Sequence, residues 1–515
     1  MEMPVYLVEI DMLDPAGQPV TACWATRGYN TRPSDTPPNR HYAERIVDPG
    51  SFSVSLYGGR RTIGLAEPGY GEIVLSNADD GVSWILKCAM DGRPLRIKRL
   101  PGQRAPYSSA VTVLSGRAEA PRSTDAWRTI SIGIYNRMLD LDKPLQADRY
   151  AGTTTTANGT YEGNEDLKGT VKPLIFGRVR NVEPPCVNVH QWLYQVSASL
   201  VSSIVAYDGG SPRNPAGNFA SVAAALSASA LYGRFTTCFA EGIIRFVGNA
   251  SAKPAYVFTA DVTEGASLAE RYPGAVARRM LAKAGIASGD IDVAAFNALD
   301  ASAPREVGIH VADEETARAA ISRVLASVGA YLVPNALGVF TTGRLTFTAP
   351  VAEYEINDMA SAAGASLDMN PDSENGVPPW RIIMQYQRLY RVLDKSSVAG
   401  CVDEATKAYL GTEWRELTDS DEALRIRHPR SEELRIETLL DKAADAQAEL
   451  SRMRGLLGTD RYLFPIETPY PEAAPLGSTV TLRMPRLGFE EGRDMIVIDR
   501  SDDFGRDQSS MTLWG

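Results

Sequence analysis

The chain has 515 residues, too many for one hydrophobic core, so several domains are expected. Its 53 basic residues against 63 acidic ones give a net charge of −10 and a pI near 5.2, which excludes a surface built to wrap nucleic-acid phosphates. A hydrophobic content of 44% suits packed cores, and no run reaches the roughly 18 to 20 apolar residues of a membrane-spanning helix.

The first residues, MEMPVYLVEIDML, carry acids where a secretory leader would carry Lys or Arg, and they already alternate like a strand. "VTACWAT", "GYGEIVLSN", "VSWILKCAMDGRPLRIKRL", "AVTVLSGRAEA" and "TISIGIYNRM" follow, with Gly, Asp and Asn between them. Short strands at this spacing predict a β-barrel-like or sandwich domain over 1–147. Residues 148–170 are rich in Thr, Gly and Asn and read as a long loop, flexible or ordered only against a neighbour.

Residues 171–259 read as a β-rich module containing "PLIFGRVRNV", "WLYQVS", "SIVAYDGG" and "GIIRFVG", with a short helix in the Ala-rich "NFASVAAALSASALYG". Residues 260–352 read as an α+β module. A first helix begins near Pro273 and Gly274. A second carries Ala317, Ala320, Ile321, Val324, Leu325 and Val328 on one stripe, with Asp313 as the expected N-cap and Gly329 as the stop. A hairpin turning over Asn335 to Gly338 should follow. Residues 359 to 379 read as another loop.

Residues 353–515 read as a C-terminal domain ending in a β-barrel. It opens with the strand "WRIIMQYQRLYRVL" and has an amphipathic helix from Ile436 to Leu457. The expected apolar stripe of that helix is Ile436, Leu439, Leu440, Ala443, Gln447, Leu450, Met453 and Leu457, flanked by Asp441, Lys442, Asp445, Glu449 and Arg452. At the end, "TVTLRMP" alternates, "DMIVID" is apolar on both faces, and "SSMTLWG" should place Met511 and Leu513 on one side and Trp514 on the other. The fold class is therefore mainly β with α+β insertions, multidomain, with barrel-like or sandwich domains at both ends.

Catalytic signatures are sparse. There is no HExxH, GxSxG or EF-hand loop. "GVFTTGRL" spaces Gly338 and Gly343 as a P-loop does, but Arg344 and Leu345 replace the Lys-Ser/Thr pair and the segment reads as a hairpin strand. His41, His190, His310 and His428 lie in no motif and read as structural. Cys23, Cys88, Cys186, Cys238 and Cys401 lie too far apart for a CxxC-type metal or iron–sulfur site, and free thiols in a cytoplasmically folded chain are expected. "GTEWRELTDSDEALR" bunches Glu413, Glu416, Asp419, Asp421 and Glu422, either a solvated face or an acidic lining. "RVRN" and "RIKR" read as salt-bridged strand surfaces. No catalytic residue, cofactor or metal ligand is assigned.

Several stretches resemble one family. "EPGYGEIVLSNADDGVSWILKCAMDGRPLRIKRLPG" is similar to the first domain of siphophage tail-tip (baseplate) hub proteins. "KGTVKPLIFGRVRNVEP…YQVS…VAYDGG" looks like the second module of those hubs, and "IDVAAFNALDASAPREVGIHVADEETARAAISRVLASVGAYLVPNALGVFTTGRL" like the third. "GSTVTLRMPRLGFEEGRDMIVIDRSDDFGRDQSSMTLWG" resembles the terminal module. Such hubs occur in siphophages and prophages of Gram-negative bacteria and have relatives in gene transfer agents.

The resemblance implies a non-enzymatic homotrimer at the virion's tail tip, assembled in the host cytoplasm. It implies two barrel-like domains per chain forming a pseudo-sixfold ring between a sixfold tail tube and a threefold central fibre. Its partners would be the distal tail protein, the tape measure protein and the central fibre or tip protein, with DNA passing through its channel without specific binding. A distal tail protein, a receptor-binding tail adhesin and a tip peptidoglycan hydrolase are the competing readings.

Overall fold

The computed structural model describes residues 3–56, 66–157, 160–229, 232–247, 254–355, 366–367, 377–485 and 488–515. It is mainly β, built from several sheets with helices inserted between them, as the patterning predicts. The expected loop over 359 to 379 falls largely outside the described residues.

The N-terminal strand Val5–Leu13 sits inside a six-stranded sheet, between Pro19–Ala25 and Pro94–Leu100. Its residues are buried on both faces for two different reasons. Tyr6, Val8, Ile10 and Met12 face the main core, whereas Val5 and Leu7 face a small outer cluster with Tyr29, Tyr42 and Leu100. A second sheet, containing Ile73–Ser76 and Thr129–Ile132, contributes Ile73, Leu75, Ile130 and Ile132 to the same main core.

The described strands here form open sheets, with no closed barrel among the described residues. The outer strand Val111–Arg117 pairs with Pro94–Leu100 on one side, and on its other side the amide of Ser115 donates to the carbonyl of Ala336, in the turn of the central hairpin. An edge covered by another part of the chain has no need to close on itself.

In the middle of the chain, Leu174–Val182 pairs with Phe258–Thr263 and Gly308–Val311. Gly177 has φ +74, and a Cβ there would lie 2.0 Å from the carbonyl oxygen of Val307, so the close backbone approach requires glycine. The described residues of the 148–170 stretch bond their own chain: the amides of Tyr150, Gly152 and Gly163 donate to the carbonyls of Thr170, Glu162 and Val187. Helices Pro273–Lys283, Val293–Ser302 and Ala317–Ala326 follow. The predicted stripe from Ala317 to Val328 is wholly buried. The N-cap of its helix is Thr316, whose hydroxyl accepts from the Ala319 amide, and not Asp313, because the helix starts three residues beyond the place Asp313 could cap. The hairpin Ala330–Pro334 with Phe340–Arg344 turns over Asn335 to Gly338 as expected.

The helix predicted from Ile436 begins only at Ala443. Glu433–Glu437 instead forms a strand parallel to Arg381–Tyr386, which removes Ile436 from the helix while keeping it buried. The stripe rotates as a result. Ala443 and Gln447 are exposed, and Ala446 and Glu449 turn inward.

The C-terminal sheet runs Glu353–Glu355, Thr479–Arg483, Arg493–Asp503, Gln508–Trp514, Tyr462–Pro469 and Ser366–Leu367. Arg493–Asp503 is long, with an irregularity between Val497 and Asp499 where its register to Gln508–Trp514 shifts. Its first part pairs with Thr479–Arg483. Its second part pairs with Ser51–Ser55 from the N-terminal region, which in turn pairs with Glu67–Tyr70. This sheet too is open among the described residues. Its faces follow the alternation: Met495, Val497, Met511 and Leu513 fill one core, and Ile496, Ile498 and Trp514 fill the other. Trp514 is fully buried, stacked on Phe347 with ring centres 6.4 Å apart.

Candidate functional site

The acidic bunch is the place to begin. Arg415–Ser420 forms the outer strand of a three-stranded sheet, and the short helix Glu404–Leu410, capped by Asp403, lies just before it. Between them opens a cleft of about 760 Å³ lined by Gln385, Tyr409, Glu413, Trp414, Arg415 and Glu416. Of the five acids, only Glu413 and Glu416 reach it. Asp419 pairs with Arg454, Asp421 caps the helix Glu422–Arg427, and Glu422 pairs with Arg425.

Both cleft carboxylates are already engaged. Glu413 accepts from Arg388 Nε at 2.9 Å, and Glu416 accepts from Gln385 Nε2 at 2.9 Å and from Arg435. The hydrogen bond from Gln385, helped by Arg435, holds the Glu416 carboxyl below its usual range. Arg388 is itself sandwiched against the rings of Tyr390 and Trp414, and Arg415 lies 4.1 Å from the centre of Tyr409. Charged carboxylates fixed by guanidinium groups are suited to docking a polar surface. Proton transfer asks for a carboxyl whose pKa is shifted toward the working pH. Sequence reasoning found the acids but missed Gln385 and Arg388, whose only signal was the aromatic-basic spacing of "QYQRLYR", and Tyr409, near the end of the helix Glu404–Leu410.

The other candidates stay apart. His41 Nδ1 lies 2.7 Å from the Asn30 side chain, His190 is exposed, and His428 faces Asp460. His310 packs edge-on against Tyr390; burial and the nearby Arg388 push its pKa down to about 4. Gly338 and Gly343 belong to the hairpin, and Arg344 reaches Glu449. The five cysteines are free thiols, and no cluster of metal-ligating side chains occurs among the described residues.

The basic strand patches serve as joints between segments. In "RIKR", Arg96 and Lys98 pair with Glu9, and Arg99 pairs with Asp507. Burial of Glu9 would raise its pKa, but hydrogen bonds from Lys98, Tyr42 and Tyr107 outweigh this and hold it at about 2. In "RVRN", Arg180 bridges Asp441 at 2.7 Å and Asp261 at 3.1 Å. A third joint centres on the buried Glu449, which binds Arg305, Arg344 and Arg452.

No family model matches the sequence, and no curated protein matches it. Among solved structures, the chain is similar to the 43 kDa tail protein of prophage MuSo2 from Shewanella oneidensis, at 10% identity and a TM-score of 0.39, over 99% of this chain and 98% of that one. It is also similar to a tail protein from Neisseria meningitidis, at 8% identity and a TM-score of 0.40, over 99% and 96%. A third is the prophage tail protein gp18 from Listeria monocytogenes, at 8% identity and a TM-score of 0.37, over 100% and 94%. No helix among the described residues is long and apolar enough to cross a membrane.

Proposed function

We propose that this chain is the structural hub of a long, non-contractile phage tail tip. In this reading it is a homotrimer joining the sixfold tail tube and distal tail ring to a threefold central fibre, around the channel through which DNA leaves. It contacts the distal tail protein, the tape measure protein and the fibre or tip protein, and it works without catalysis or cofactor. Its units are 1–147, the 148–170 loop, 171–259, 260–352 and 353–515.

The reading starts from the resemblance of the quoted motifs, and one observation carries it in the geometry. Ser51–Ser55 is a strand of the C-terminal sheet, so the two ends of the chain form one stiff body fit to transmit force around a ring. The net charge of −10 suits a wall past which phosphates slide without adhering.

Mass measurement in solution tests the assembly. Three chains are expected; six would point to a distal tail ring, and a stable monomer would overturn the ring reading. Incubation on a peptidoglycan gel should leave no cleared band, and clearing would overturn the non-enzymatic part. Labelled antibody should decorate the tail tip in electron micrographs of the virion, whereas decoration of fibre ends would favour an adhesin.

A further inference from the structure

A half-enclosed cavity of about 420 Å³ lies where three distant parts of the chain meet. Phe52 and Val54 come from the strand Ser51–Ser55, Val333 and Ala336 from the central hairpin, and Tyr470 and Leu476 from the C-terminal region. The volume falls within the range of small-molecule pockets, and these walls are apolar or aromatic.

Its charged pole is closed to ions. Arg500 Nε donates to both oxygens of Asp502, at 2.9 and 3.2 Å, and its Nη1 donates to the carbonyls of Ala473 and Ala474, each at 3.1 Å. Ser509 Oγ donates to Asp502 Oδ1 at 2.6 Å. The pair cancels its own charge and its members already have partners, so neither sign of ion gains an unmet counter-charge. An apolar ring avoids that desolvation cost and gains contact with the apolar walls.

We propose that this cavity is a binding site for a small neutral aromatic molecule. Because the walls come from three parts of the chain, occupancy fastens Ser51–Ser55, the hairpin and the C-terminal sheet to one another. A ligand that touches all three binds the folded form alone and raises its melting temperature by mass action. The proposal stands independently of the tail-tip reading.

Thermal unfolding of the full chain with indole as the titrated probe tests it, alongside two cavity-filling variants, Ala336→Leu and Val54→Phe. A saturable rise in melting temperature is expected for the original chain, with the apparent affinity weakened at least about tenfold in a folded filled variant. No saturable rise, or the same rise in a folded filled variant, would overturn the site. Should neither variant fold, crystals soaked in 5-bromoindole decide. Anomalous bromine density between Val54 and Leu476 supports the site, and density only elsewhere, or none, overturns it.

Discussion

Arg99 and Asp507 lie 408 residues apart in sequence and meet in a two-pronged ion pair, with both N–O distances at 2.8 Å. Tyr6 donates its hydroxyl to the same carboxylate at 2.6 Å, and the Arg99 guanidinium lies over the Tyr470 ring. The contact fastens the first sheet of the chain to the last hairpin. Both side chains are partly shielded, at 20% and 26% exposure, so the pair is worth more than an open surface bridge. A double-mutant cycle with Arg99→Ala and Asp507→Ala should give a coupling of about 1 kcal/mol in denaturant unfolding. Strictly additive losses would show that the pair is ornamental.

Proline cannot donate to a ladder. Ser53 pairs with Ser501 on one side and Gly69 on the other, so it has no free edge. Ser53→Pro should cost about 3 kcal/mol and speed hydrogen exchange across Arg493–Asp503, 440 residues away or more in sequence. Unchanged protection of that strand would mean that the shared pairing contributes little to its stability.

Glu449 is a buried carboxylate among three arginines. Burial works against its charge, but Arg452, Arg344 and Arg305 together hold its pKa below the usual range. Glu449→Leu leaves those guanidinium groups without their counter-charge and should destabilise the chain by about 3–5 kcal/mol in urea unfolding. A loss below the cost of an ordinary surface substitution would refute this arrangement.

Acid should weaken the fold in two windows. The folded-state pKa of His310 is about 4 against 6.5 for the free group, so the unfolded chain takes up the proton first. Its contribution is complete above 6.5 and is lost as pH falls toward 4. Glu9 is held at about 2 against 4.5, so its contribution persists above 4.5 and is lost as pH falls toward 2. Unfolding free energy measured against pH should lose its upper slope in His310→Phe and its lower slope in Glu9→Gln. Curves that stay parallel to that of the original chain would count against both assignments.

What was legible in the sequence was local. Alternation over 511–514 set Met511 and Leu513 on the face opposite Trp514, and the unbroken apolar run in "DMIVID" announced a strand covered on both faces, because patterning of period two records burial directly. The buried stripe from Ala317 to Val328 was legible from its helical steps of three and four, and the hairpin turn at Asn335 to Gly338 from its Asn and Gly. Position of partners was not. Glu449 reads as a flanking charge because nothing near it announces Arg305 and Arg344. The helix start at Ala443 was hidden because Ile436 and Leu440 are as apolar in a strand and its following loop as they would be in a helix. In the cleft, the acids were visible as a bunch, but their neutralisation by Arg388 and Arg435 depends on packing between strands.

The sharing of Ser51–Ser55 also sets an order of events during synthesis. Its acceptor strand leaves the ribosome only after more than four hundred further residues have been made, so the early segment, paired on one side with Glu67–Tyr70, waits with its other edge unsatisfied. Neighbouring nascent chains on one message expose the same edges at the same time, and the pairing that completes one molecule can equally link two. Expression that slows translation near residue 490, or truncation before Arg493–Asp503, therefore favours aggregates over soluble protein.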